Sequence, residues 1–249
     1  MEASTTESTA KGPAWLGIGA QRCGTTWFVN LLVQHPMVTT PGAKELHALY
    51  MQLPSPWSDD DAENYRRLFQ GNTRCGEFTP FYMRVPWCPE VATGVLRPDA
   101  PIYVLLRDPI DRYESSVRLG MPRLKPGGDA KAQPREVRVR GTDAVWAGMY
   151  ASQLDLWEAA FGRERILVIQ YEALRADPAG HMAQAWARLG LEPVGLTNVE
   201  KPSSSTRSDV EWTVDAIPGL RDTLRRLYAP QVEQLERWGI DRRLWTNFA

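Results

Sequence analysis

The sequence predicts an α/β fold, a parallel β-sheet flanked by helices, and three apolar runs predict it. Residues 14–20 (AWLGIGA), 101–106 (PIYVLL) and 165–170 (RILVIQ) show almost no polar alternation, the pattern of strands covered on both faces. Each is followed by a segment long enough for a helix, and strands alternating with helices build parallel sheets. Ligands of such sheets bind beyond the carboxyl ends of the strands. The loops after Ala20, Leu106 and Gln170 are therefore expected side by side on one edge.

The elements come in order. A glycine-bearing turn joins the first strand to WFVNLLVQH, a helix from Trp27 that Pro36 ends. Residues 52–58 (QLPSPWS) form a proline-rich loop and residues 59–69 (DDDAENYRRLF) a short surface helix. After the second strand a helix runs from about Asp111 to Leu119. Residues 120–142 are long, Pro- and Gly-rich and basic, with seven Lys/Arg against two Asp/Glu from Arg118 to Arg140; they are expected to form a lid or flexible loop. Residues 143–161 predict one amphipathic helix, with Val145, Met149, Leu156 and Ala160 near helical spacing. Helices at about 178–189 and 217–238 complete the chain. No period of 20–50 residues repeats.

Composition bounds the function. The chain has 249 residues, 43% hydrophobic and 24% charged, enough for a sizeable core and unlike a disordered chain. With 29 Lys+Arg against 30 Asp+Glu the net charge is −1, so a generally basic nucleic-acid binder is not expected. No run of about 18 apolar residues offers a membrane span. The opening MEASTTESTAKG lacks a signal-peptide core. Residues 1–12 read as a disordered leader and 13–249 as a single domain. Cys23, Cys75 and Cys88 are an odd number without CxxC spacing, and His35, His47 and His181 are the three histidines. Reduced thiols in a cytoplasmic protein and no metal centre are expected.

LGIGAQRCGTTW sets a strand, Arg22, Gly24, Thr25, Thr26 and a helix in one order. The first amides of a helix lack internal partners and, with the helix dipole, form an anion site. Arg22 adds a permanent charge with a planar fork. A threonine-capped turn with a solvated Arg22 is the plainer alternative. The match to a phosphate-cradling GxxxxGK[ST] loop is poor, since no GKT or GKS occurs. The second strand ends in Arg107-Asp108-Pro109, with Ser115 eight residues after Arg107. Arg107 and Ser115 together suit one phosphate monoester; an ordinary helix start with Arg107 paired to Asp108 or Asp111 weighs equally. Two anion sites on neighbouring strand ends suggest a ligand with two separated phosphates. Lys44-Glu45-Leu46-His47 lies just past the Gly42 turn, and on its own Lys44-Glu45 reads as a solvated pair. Glu77, in GEFTP, is either a further acid near substrate or a paired glutamate at a strand end. Among ten tryptophans, Trp146, Trp157, Trp186 and Trp238 are expected to pack, while Trp57, Trp87 and Trp212 lie near loops where they could stack on an acceptor.

Gly19–Pro36 (GAQRCGTTWFVNLLVQHP) strongly resembles the first cofactor-binding loop of sulfotransferases, and Arg107–Ser115 (RDPIDRYES) resembles their second. Tyr171-Glu172-Ala173-Leu174 and Asp177-Pro178 extend the likeness weakly. The resemblance implies a P-loop NTPase-like architecture and the donor 3′-phosphoadenosine 5′-phosphosulfate (PAPS), without a metal. It implies that Arg22, Cys23, Gly24, Thr25, Thr26 and Trp27 hold the 5′-phosphosulfate, with Arg22, where the family often has lysine, also assisting the leaving group. Arg107 and Ser115 would hold the 3′-phosphate, and Tyr171 would border the adenine. Ser205, Thr206 and Arg207 lie where relatives carry a late cofactor-covering loop, commonly Lys-Gly-Arg, of which only Arg207 matches. Glu45 and His47 match the acid-x-His spacing of glycan-type members. This implies Glu45 as the base, His47 as the alternative, and in-line transfer to a hydroxyl of a small-molecule acceptor, a natural product or saccharide. A nucleotide kinase and a non-catalytic nucleotide-binding module are the competing readings.

Overall fold

The computed structural model describes residues 12–51, 57–71, 73–120, 141–200 and 212–249. Outside it lie Ser205, Thr206 and Arg207, nearly all of the expected leader, and the expected 120–142 lid apart from its ends.

Four parallel strands form the main sheet: β1 (Leu16–Gly19), β4 (Glu77–Phe78), β5 (Ile102–Leu106) and β6 (Ile166–Gln170), in the order β4-β1-β5-β6. The registers pair Leu16 with Ile102 and Glu77, and run from Ile102↔Ile166 to Leu106↔Gln170. Every residue of β1 and β5 is buried, while β6, at the edge, leaves Leu167 and Val168 half-buried. The unbroken apolar runs are thus strands covered on both faces. β2 (Val38–Thr39) and β3 (Arg74–Cys75) form a separate parallel pair.

The helices fall into two groups. α1 (Thr25–Leu32) packs on α7 (Pro178–Arg188), where the Trp186 indole donates to the Leu32 carbonyl at 3.0 Å. α2 (Asp59–Arg67) carries a capping box between Ser58 and Asp61. α3 (Cys88–Thr93) and α8 (Leu220–Gln234) pack against α5 (Tyr150–Phe161), and α4 (Pro109–Gly120) packs against α8. α6 (Tyr171–Ala176) begins directly at the end of β6.

Three expectations are corrected. The 143–161 helix is two pieces: residues 141–146 are helical, then Ala147–Met149 breaks the run before α5. A Cβ on Gly148 would lie 2.7 Å from the Tyr228 ring, so α8 passes too close for any larger residue. Gln231 then accepts from the Ser152 amide at 3.1 Å, serving one orphan donor of the new helix start. The last helix ends at Gln234 and tightens into a 3-10 turn, Leu235–Trp238. Trp146 is 62% exposed instead of packed; Trp157, Trp186 and Trp238 are in the core. Of the loop tryptophans, Trp57 and Trp212 pack partly against that core and Trp87 is exposed.

Candidate active site

The turn after β1 enters α1 through Gly24, whose φ of +85° is left-handed. A side chain there would be strained, and its Cβ would stand 2.7 Å from the Tyr171 ring. Only glycine lets the turn close against α6. Arg22 is also left-handed, at φ +68°. Its Nε donates to Ser115 Oγ on α4 at 3.0 Å, a direct link between the two sequence motifs. Burial, and then the nearby charge of Arg107, lower the Arg22 pKa. Two arginines brought together this way form a concentrated positive field, which an anion would relieve.

Arg107 leaves the carboxyl end of β5 beside this turn. Its guanidinium lies 3.4 Å from Asp111 and 5.3 Å from the Tyr171 ring centroid. Burial works against its charge, but Asp111 foremost and other neighbours outweigh it, and its pKa is raised. Its Nε is buried without a hydrogen-bond partner. Tyr171 therefore stands between the two turns, with Gly24 on one side and Arg107 over its ring. Trp27 is buried, edge-on to Tyr171 at 6.3 Å between centroids, and its indole donates to the Val199 carbonyl at 3.2 Å; it forms a wall of this region. Cys23 is buried against the Tyr150 hydroxyl at 3.6 Å, and burial pushes its thiol up to about 11. A neutral Cys23 supplies shape, not charge.

The second turn is held from behind by a network that the sequence motifs mark only in part. Asp108 accepts from the amides of Ile110 at 2.9 Å and Asn247 at 3.1 Å, and from the Asn247 side chain at 3.0 Å. Asn247 Nδ2 also reaches Asp111 at 3.2 Å. Glu172 accepts from the Asp108 amide at 3.2 Å and from the Trp245 indole at 2.8 Å. Burial raises the pKa of both Asp108 and Glu172, with these donors opposing it. The Tyr-Glu pair after a strand was the one available signal for Glu172; nothing local marks Asn247, 139 residues from Asp108.

Residues 44–47 arrive at the first turn from the other side. Glu45 Oε1 is 2.6 Å from Lys44 Nζ, and Oε2 is 3.4 Å from His47 Nε2. The Tyr50 hydroxyl lies 2.9 Å from His47 Nδ1. Lys44 Nζ in turn donates to Thr25 Oγ1 at 3.3 Å and Thr26 Oγ1 at 3.2 Å. Lys44 is thus no solvated surface residue but a bridge from Glu45 to the donor-side turn, and its side chain is only 18% exposed.

Glu77 fixes the backbone of this segment. It is wholly buried on β4 and accepts from Tyr65, Tyr82 and Thr79 hydroxyls at 2.9, 2.6 and 2.6 Å and from the Leu46 amide at 3.2 Å. Thr79 and Tyr82 pass the support on, accepting from the His47 and Ala48 amides at 3.2 and 2.9 Å. Burial raises the Glu77 pKa and the four donors counter it. Of its two readings, the paired glutamate at a strand end is the one observed. Among the described residues there is no cluster of three or more His, Cys, Asp or Glu suited to a metal, and no helix long and apolar enough to cross a membrane.

The chain is similar to known proteins in fold and in part of its sequence. Residues 90–194 match the model of the Sulfotransferase family. The fold superposes on a sulfotransferase crystal structure from Alicyclobacillus acidocaldarius with a TM-score of 0.70 and 27% identity, covering 94% of this chain and 98% of that one. It also superposes on the sulfotransferase domain of the Synechococcus PCC 7002 olefin synthase, with a TM-score of 0.62 and 17% identity over 97% and 99% of the two chains; that likeness is one of fold. In sequence, 73% of the chain is 25% identical to the human bifunctional heparan sulfate N-deacetylase/N-sulfotransferase 3, spanning 22% of that protein. It is 27% identical to the mouse heparan sulfate glucosamine 3-O-sulfotransferase 6 over 73% of this chain and 53% of that one. The chain therefore corresponds to about a fifth and about half of these relatives' lengths. The likeness covers nearly the whole of a solved relative, and in fold and in part of its sequence the chain is similar to sulfotransferases.

Proposed function

We propose that the chain is a sulfotransferase that moves the sulfuryl group of PAPS to a hydroxyl of a small-molecule acceptor, a natural product or saccharide, within one domain over residues 13–249. The observation that carries this reading is the 3.0 Å contact between Arg22 and Ser115. It joins the turns after β1 and β5 into one site with two arginines, as a nucleotide with phosphates at two ends requires. The orphaned Arg107 Nε is a donor suited to such a ligand.

When bound, the donor supplies an activated sulfuryl group on a phosphate leaving group. Arg107 and Ser115 would hold its 3′-phosphate, the α1 amides with Thr25 and Thr26 its phosphosulfate, and Tyr171 the base between them. By analogy with phosphoryl transfer, positioning and neutralisation of developing charge give most of the acceleration. Glu45 would take the acceptor's proton. His47 is the alternative base: its Nε2 lies 3.4 Å from Glu45 and its Nδ1 2.9 Å from the Tyr50 hydroxyl.

Calorimetry tests the reading. Adenosine 3′,5′-bisphosphate is expected to bind without metal and ATP–Mg²⁺ to bind poorly. Arg107→Ala should weaken the bisphosphate about 10- to 100-fold, the scale of a lost charge-assisted hydrogen bond, while sparing adenosine 5′-phosphosulfate. Equal losses for both ligands would remove the 3′-phosphate assignment, and a preference for ATP–Mg²⁺ would favour a kinase.

A further inference from the structure

The sulfuryl end of the proposed donor needs a cation, and the fold offers one that the sequence motifs do not name. Arg22, in the motif position, points its Nε across to Ser115 at 3.0 Å, towards the 3′-phosphate side. At the hydroxyls of Thr25 and Thr26, the first two residues of α1, the charge present is Lys44, at 3.3 and 3.2 Å. Its third contact is Glu45 Oε1 at 2.6 Å. An ammonium has three donors and no acceptor, and here the three are shared between the donor-side turn and the proposed base. Lys44 also lies 5.8 Å from the Phe78 ring centroid, and its own carbonyl accepts from the Phe78 amide at 2.8 Å. The β4 end therefore fixes where the lysine starts, and its stem reaches from there to α1.

We propose that Lys44 is a catalytic residue of the transfer: it grips the sulfuryl–phosphate end of the donor and, in turning to it, frees Glu45 to act as base. The inference rests on the sulfotransferase reading. In the reaction, the acceptor oxygen forms a bond to sulfur as the bond from sulfur to the bridging oxygen breaks. The electron pair of the broken bond stays on the nucleotide phosphate, beside the Lys44 ammonium, and the acceptor proton passes to Glu45. Without a donor, Lys44 is held by the carboxylate. With one, a doubly anionic group competes for the same ammonium, so the base is released only when there is something to transfer.

The test uses Lys44→Met, which keeps length and packing but removes the charge, and Lys44→Arg, which restores charge. Thermal melting first checks that both fold. For Lys44→Met, affinity for adenosine 3′,5′-bisphosphate, which keeps the 5′-phosphate but lacks the sulfuryl group, should fall only about two- to threefold. Affinity for adenosine 5′-phosphosulfate should fall about tenfold or more, and turnover about 100- to 1,000-fold, the usual effect of removing one charge-stabilising donor. Lys44→Arg should recover much of the phosphosulfate affinity. Equal weakening of both ligands by Lys44→Met would mean that the lysine only braces the turn and would overturn the proposal, as would unchanged phosphosulfate binding and turnover. Failure of the wild-type protein to bind the bisphosphate would instead overturn the sulfotransferase reading itself.

Discussion

The turn after β5 and the turn at residues 44–47 both face the site, but they are supported differently. Behind Arg107, the buried Asp108 and the half-buried Glu172 are acceptors engaged by Ile110, Asn247 and Trp245. The whole second turn is locked to α6 and to the last residues of the chain. At 44–47 the lock stops at the backbone. Glu77, Thr79 and Tyr82 hold the amides of Leu46, His47 and Ala48, whereas the side chains of Glu45 and His47 remain 36% and 45% exposed. The difference matches the ligand each region would meet. In the proposed reaction the nucleotide is the same in every turnover and rewards a preformed cradle, while an acceptor has to enter and leave past the proposed base.

Four experiments put this contrast at risk. The largest effect is expected at the exposed turn: Glu45→Gln should lower turnover by about 100- to 10,000-fold, the range for losing a general base, with bisphosphate affinity intact by calorimetry. Full turnover in that variant would move the base elsewhere. Next, Asn247→Ala keeps the backbone amide but removes the side-chain donor to Asp108 and Asp111, and should cost roughly 1–3 kcal/mol of stability in a denaturant melt. It should also weaken the bisphosphate several-fold more than adenosine 5′-phosphosulfate; equal weakening would mean that the chain's last residues do not act through the second turn. Trp245→Phe removes one donor to Glu172 and should cost about 1 kcal/mol, read from the same melts.

The smallest effect separates Glu77 from Glu45. Burial raises the Glu77 pKa in the folded chain. Its stabilising contribution is therefore full below the carboxyl pKa of the unfolded chain and is lost as pH rises through the higher folded value. Melts of wild type and Glu77→Gln across that window should show the wild type losing ground as pH increases. Parallel curves would mean that the four donors cancel the burial penalty.

The sequence makes β1, β5 and β6 legible because a strand buried on both faces needs an uninterrupted apolar run, and because Gly24 and Pro109 mark the helix starts behind the first two. The two arginine turns are legible for the same reason, as local patterns, whereas Glu45 stands out only through the family resemblance. The features that escape are set by distant neighbours. β4 has two residues, too few for any periodicity. The break at Ala147–Met149 is dictated by Tyr228, and the grip on Asp108 by Asn247. A Lys-Glu dipeptide looks solvated until α1 is seen to pass beside it, which is why Lys44 is visible only in three dimensions.

The all-parallel order of the sheet has a consequence for how the molecule comes together. β1 must find partners at residues 77–78 and 102–106, and β5 must find another at 166–170. Among the described residues no hairpin offers a cheap start, and each closure sets loop entropy against contacts far along the chain. Arg22 and Ser115 meet only after β1 and β5 have paired, and Asn247 arrives later still in the sequence. During refolding, then, affinity for the nucleotide should emerge in a single late step, and a ligand that spans both turns would stabilise the finished molecule and none of its fragments.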